Sequence, residues 1–147
     1  MTVIRVFLLA LLLSPAMVTA QLPDELICAH IARYFAWNKL QAELICSEIF
    51  THPTDGNVLK VTINSRRTRK REAVLSTLKA ASAVANIAGT EIDLLWVELR
   101  VDYKETQTIM AIADSECTIN AIILESVKPD TWWSNCVQIY PEGSLPG

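Results

Sequence analysis

The sequence predicts an α+β protein, a two-layer α/β sandwich in which helices pack on one face of a small sheet. Two segments repeat apolar residues at helical spacing, and two others alternate apolar with polar residues as half-buried strands do. Four cysteines follow an N-terminal apolar run and indicate that disulfides staple the fold. The predicted order is α-β-α-β-β, followed by a mixed C-terminal segment.

Met1 to Ala20 has the features of a secretory signal peptide. Arg5 precedes an apolar run from Val6 to Leu13, and Val18-Thr19-Ala20 provides a small-residue cleavage site. The run is much shorter than the roughly twenty residues that span a bilayer. We therefore expect a mature protein that begins at Gln21 and is secreted or periplasmic, with retention of the signal as an anchor as the alternative.

The mature chain has the length of one domain, so residues 21–140 are expected to form a single α/β domain and 141–147 a flexible tail. The first helix is predicted from Pro23 to about Phe50, with a proline and two acids in its first turn. Residues 51–56 then break the pattern.

Alternation from Asn57 to Asn64 predicts a half-buried strand. A second helix is expected to start at a cap on Asn64 or Ser65 and to continue through a basic stretch to about Ala88. Its core stripe is rich in alanine, which favours close packing onto a sheet.

The strongest alternation runs from Ile92 to Tyr103 and continues, after a turn, into a partner strand from Thr106 to Ala113. This hairpin is expected to lie at the centre of the core. Asp114 or Ser115 can then cap a short helix. The pattern further predicts a turn at Pro129-Asp130 and a short strand from Cys136 to Tyr140.

Cys28, Cys46, Cys117 and Cys136 all follow the cleavage site, so we expect two disulfides formed in an oxidising compartment. On one continuous helix Cys28 and Cys46 lie about 27 Å apart, beyond the roughly 7 Å between Cα atoms that a disulfide allows. The preferred prediction therefore joins each of them to the C-terminal half. The alternative pairs Cys28 with Cys46 and Cys117 with Cys136, and requires a helical hairpin near Trp37.

Five positive charges are concentrated at the start of the second predicted helix. This basic cluster consists of Arg66, Arg67, Arg69, Lys70 and Arg71. Without Arg5 the chain carries 12 Lys and Arg against 16 Asp and Glu, so the remainder of the chain is strongly acidic. Cations in a first turn oppose the helix macrodipole, which suggests a role in binding an anionic partner. A solvated surface balanced by the chain's own acids is the alternative.

The remaining residues predict no catalytic site, no metal site and no cofactor. His30 and His52 are not part of a catalytic or ligand motif, and the cysteine spacing matches neither zinc nor redox motifs. Glu98 and Asp102, on the outer side of the strongest strand, resemble paired catalytic carboxylates, but Arg100 lies between them and favours a charge ladder across the sheet. Trp132-Trp133 is expected to cover a disulfide.

These features predict a non-catalytic binding or adaptor protein whose partner is an envelope or extracellular protein. Apolar residues on more than one side of the first helix, among them Leu26 and Trp37, favour an interaction surface. Two alternatives stay open: a small extracytoplasmic hydrolase whose site assembles only in three dimensions, and a binder of an anionic lipid headgroup or polymer through the basic cluster. Nucleic acid is not an expected partner.

Overall fold

The computed structural model describes residues 23–40, 42–88 and 91–145, so the predicted signal peptide lies outside the described residues. Helices and a five-stranded mixed sheet confirm the predicted α+β class. The elements in chain order are α1 (Asp24–Asn38), β1 (Ala42–His52), β2 (Gly56–Ser65), α2 (Lys70–Ile87), β3 (Leu94–Tyr103), β4 (Glu105–Asp114), α3 (Ser115–Ile122), α4 (Pro129–Cys136) and β5 (Val137–Tyr140). Within these ranges, no helix is both long and apolar enough to cross a membrane.

The strands lie in the order β1-β2-β3-β4-β5. Neighbouring strands are antiparallel except β2 and β3, which are parallel. A parallel pair needs a crossover connection, and α2 supplies it. The predicted hairpin of β3 and β4 is confirmed, with Lys104 in the left-handed conformation at its turn (φ 51).

The predicted first helix to Phe50 is wrong, because α1 ends at Asn38 and a strand follows. Lys39 takes the left-handed conformation (φ 44, ψ 51), which stops the helix without a glycine. The register of β1 against β2 shifts between Leu44 and Cys46, as at a β-bulge. One extra residue there breaks the alternation of period two, so β1 does not have the sequence pattern of a strand.

Two further boundaries differ from the prediction. A 3-10 turn (Arg67–Arg69) follows β2, and α2 starts at Lys70, without a cap from Asn64 or Ser65. The predicted turn at Pro129-Asp130 is wrong, because Pro129 begins α4, a position that favours proline. The predicted cap of α3 is confirmed: the Asp114 carboxylate accepts a hydrogen bond of 2.7 Å from the Cys117 backbone N–H.

All four helices contribute to one core on one face of the sheet, which we call the covered face. The helices contact one another in the order α1, α2, α3, α4. The strand residues of this core alternate along β2, β3 and β4 and are completely buried: Leu59, Val61, Ile63, Leu95, Val97, Leu99, Ile109, Ala111 and Ala113. The inward side predicted for β3 is therefore confirmed at its central positions.

One disulfide is present among the described residues, and it joins Cys117 on α3 to Cys136 at the end of α4, with Cα atoms 6.2 Å apart. Cys28 and Cys46 are free thiols. The predicted pairing of Cys28 and Cys46 with the C-terminal half is wrong, because Cys46 lies on β1 and not on a long first helix. Instead, the Cys28 thiol donates a hydrogen bond of 3.0 Å to the Ser47 carbonyl.

Candidate binding surface on the open face of the sheet

A second group of apolar side chains lies on the sheet face opposite the helices, which we call the open face. Strand register places these residues on one side, and the core beneath the helices does not include them. This open-face cluster consists of Phe50, Val58, Leu94, Trp96, Met110, Ile112 and Tyr140. It has members on all five strands, so its side chains are neighbours on one face and not isolated residues.

Trp96 is at the centre of the cluster. Its ring packs edge-on against Phe50, with ring centroids 5.4 Å apart, and lies 5.8 Å from the His52 ring. Val58, which pairs with Phe50 in the register, is completely buried although none of the helices in the described ranges lies on this face. Most other cluster members are half-buried, and Tyr140 is 52% exposed.

A row of ion pairs crosses the open face beside the cluster. Glu98 accepts from Lys60 at 2.8 Å and from Arg100 at 2.9 Å, and Lys60 also lies 3.7 Å from Glu48. The hydrogen bond from Lys60, with that from Arg100, lowers the pKa of Glu98, although burial opposes the shift. The hydrogen bond to Glu98 likewise raises the pKa of Lys60. The predicted charge ladder is confirmed at Glu98 and Arg100, whereas Asp102 accepts a hydrogen bond of 3.3 Å from the Asn64 side chain.

A cavity of about 420 Å³ opens next to the cluster at the β4–β5 side of the sheet. Trp96, Ile112 and Tyr140 line it, together with polar side chains from Asp114, Asn135 and Gln138. The Trp96 indole N–H is buried, and the described residues offer it no hydrogen-bond acceptor. Buried donors of this kind are rare in native proteins.

The side chains of the basic cluster have different contacts and do not form one site. Arg69 pairs with Glu72 at 2.6 Å, and the Arg71 guanidinium lies 5.1 Å from the ring of Trp133. Arg66 and Arg69 line a separate cavity of about 540 Å³ with Thr68. Arg67 is exposed, whereas Lys70 is half-buried. The role of the basic cluster in binding stays a prediction.

The two histidines lie on different elements, His30 on α1 and His52 at the end of β1. His52 Nδ1 lies 2.9 Å from an Asp55 carboxylate oxygen and 3.1 Å from the Thr54 hydroxyl. This is an exposed pair within one turn, and such pairs contribute little to stability. In the parts of the chain that the structure describes, no group of three or more His, Cys, Asp or Glu residues is arranged to hold a metal ion.

A cavity of about 490 Å³ near the start of β3 is lined by five carboxylates: Asp55, Glu91, Asp93, Asp114 and Glu116. Two of them have structural roles. Asp93 accepts from the Asn57 backbone N–H at 2.7 Å, and Asp114 caps α3.

Sequence reasoning missed the open-face cluster. The sequence feature that could have indicated this cluster is on β3, where Trp96 lies on the same side of the strand as Glu98 and Arg100. A large aromatic residue on the polar side of a strand indicates that this side is not simply solvated.

No protein-family model matches the chain, and no curated protein and no solved structure matches it either.

Proposed function

We propose that this chain is a non-catalytic, secreted or periplasmic binding protein that docks a protein partner of the cell envelope on the open face of its sheet. The open-face cluster carries this proposal. Aromatic residues and Met are enriched in protein interfaces, and partly buried aromatic anchors contribute most of the binding energy. Phe50, Trp96, Met110 and Tyr140 provide these residue types on one face.

The surroundings of the cluster also resemble the polar rim of an interface. Arg100 and Glu48, at the two ends of the ion-pair row, have side chains that are 45% and 58% exposed. Charges of both signs at a rim select a complementary partner more than they add affinity.

The exposed side of α1 is the competing interaction surface. Trp37 is 76% exposed and Leu26 is 47% exposed, and the Arg33 guanidinium lies 5.6 Å from the Trp37 ring. These are single apolar side chains separated by three helical turns. Scattered apolar residues are normal on a protein surface, whereas a contiguous patch indicates a binding site.

The proposal is tested by affinity capture from native envelope, with the mature protein as bait and Tyr140→Glu as the variant. Tyr140 is exposed, so the charge can be added without unfolding the domain. We expect Tyr140→Glu to lose the bound partner and the matched variant Trp37→Glu to retain it. The reverse result would place the interface on α1 and contradict the proposal.

Anion binding by the basic cluster is a second candidate function. The cavity lined by Arg66, Thr68 and Arg69 favours it, since guanidinium and hydroxyl groups suit phosphate and carboxylate ligands. Glu43 also lines this cavity and reduces its positive potential. The test of this candidate is whether replacing these arginines with glutamine weakens binding to heparin.

A further inference from the structure

The helical layer contains a groove that is separate from the open face. Its volume is about 850 Å³, within the range of small-molecule sites. It lies between α1, α2 and the segment that joins α3 to α4. Most of its lining is apolar: Tyr34, Leu75, Ala83, Ala121, Ile122, Val127 and Trp132.

The wall of the groove formed by α3, α4 and their connection is fixed by several bonds. The Cys117–Cys136 disulfide joins the two helices. Within the connection, the Ser126 backbone N–H donates to the Asn120 carbonyl at 3.0 Å. The Trp132 indole N–H donates to the Thr118 hydroxyl at 3.1 Å, which fixes the ring that lines the groove. The groove is therefore formed before any ligand arrives.

Positive charge predominates at the groove. Lys79 on α2 and Lys128 directly before α4 both line it, and Glu125 is the one acid among the lining residues described. Lysine stems follow apolar surface while their ammonium groups stay in water, so both charges are expected at the mouth. On α2, the groove is lined by a row of residues spaced four positions apart, Leu75, Lys79 and Ala83. This row is about 12 Å long.

Apolar surface continues from the groove onto the connection after α3. Ile123, which also lines the groove, and the next residue, Leu124, are 37% and 64% exposed. A mostly apolar groove with an excess of ammonium groups is complementary to a chain that is apolar along its length and anionic at one end.

We propose that this groove binds a single-chain fatty acid, with the hydrocarbon chain along the apolar floor and the carboxylate between Lys79 and Lys128. The proposal does not depend on the function of the open face. A hydrocarbon chain needs no hydrogen-bond partner, so it can lie against the apolar part of the lining. The carboxylate can then form ion pairs with the two ammonium groups.

The test is calorimetric titration of the mature protein with dodecanoate, dodecanol and dodecyltrimethylammonium, each below its micelle concentration. We expect saturable 1:1 binding of dodecanoate and clearly weaker binding of the alcohol and the cation. No saturable binding of dodecanoate, or equal binding of the cation, would overturn the proposal. Binding to phosphatidylglycerol vesicles without binding of dodecanoate would also overturn it, in favour of a membrane surface.

Two variants locate the ligand. Ala83→Trp should fill the groove and abolish binding, whereas Ala36→Trp, on an exposed position of α1, should not. Lys79→Gln combined with Lys128→Gln should weaken dodecanoate binding about two- to thirtyfold, the range for two exposed ion pairs, and leave dodecanol binding unchanged. The matched pair Lys39→Gln and Lys104→Gln should have no effect. Equal loss in both pairs, or normal binding by a folded Ala83→Trp protein, would contradict the assignment.

Discussion

The covered and open faces of the sheet differ in chemistry although their residues alternate along the same strands. On β3, the covered face receives Leu95, Val97 and Leu99, which are completely buried. The open face receives Trp96, Glu98 and Arg100 between them. Because helices cover that face and exclude water, its side chains can all be apolar. On the open face, a buried carboxylate such as Glu98 requires charged partners, and the aromatic cluster beside it is the binding surface that we propose.

The largest effect is expected from placing a charge on the covered face. Val97→Asp would bury a carboxylate without a partner against the helices, which should unfold the domain at 25 °C. Thr108→Asp on the exposed part of the open face should change the free energy of unfolding by less than about 0.5 kcal/mol. Urea denaturation followed by circular dichroism measures both, and similar effects would contradict the assigned register.

The next effect concerns the disulfide that holds the last two helices over the covered face. Replacing Cys117 and Cys136 together with serine should lower the free energy of unfolding by about 2–4 kcal/mol. The same replacement of Cys28 and Cys46, which are free thiols, should cost less. Non-reducing peptide mapping checks the connectivity directly, and a peptide linking Cys28 to the C-terminal half would contradict the structure.

A smaller, pH-dependent effect is expected on the open face. Glu98→Gln removes the charge that Lys60 and Arg100 share and should lower the free energy of unfolding by about 1–2 kcal/mol at pH 7. The pKa of Glu98 is lowered in the folded state, so this stabilisation is complete above the unfolded value of 4.5 and disappears as pH falls through the folded value.

Urea denaturation of the wild type and Glu98→Gln at pH 7 and pH 3 measures this difference. The exposed Glu105→Gln serves as control and should show little change at either pH. If the difference between the wild type and Glu98→Gln is as large at pH 3 as at pH 7, the ion pairs are not its cause.

The smallest effect on stability is expected for the basic cluster. Replacing all five residues of the cluster with glutamine relieves mutual repulsion but also removes the Arg69–Glu72 pair and the Arg71–Trp133 contact. The lost contacts and the relieved repulsion are each small and act in opposite directions, so the melting temperature should change little. Binding to a heparin column should weaken and should fall with added salt. A clear loss of stability with unchanged retention on heparin would show a structural role.

Much of the fold follows from local sequence patterns, and the exceptions have physical causes. Alternation located β2, β3 and β4 because their covered-face residues are consistently apolar. β1 was missed because its bulge breaks the alternation and because Glu43, Leu44 and Glu48 are common in helices. The spacing of Cys28 and Cys46, five helical turns, then strengthened the wrong interpretation.

The candidate site was less accessible to sequence reasoning. The open-face cluster collects residues from five strands, and its members become neighbours only through the order of the sheet. The basic cluster, in contrast, is contiguous in sequence and was therefore visible, yet the fold distributes its side chains between Glu72, Trp133 and a separate cavity.

The most direct test of the open face as the binding surface is site-specific photocrosslinking in native envelope. A photoreactive phenylalanine analogue is placed at Tyr140 or at Trp37, both exposed aromatic positions. We predict that illumination captures one partner protein from position 140, and that the adduct is absent from position 37. Capture of the same partner from position 37 and not from position 140 would contradict the account.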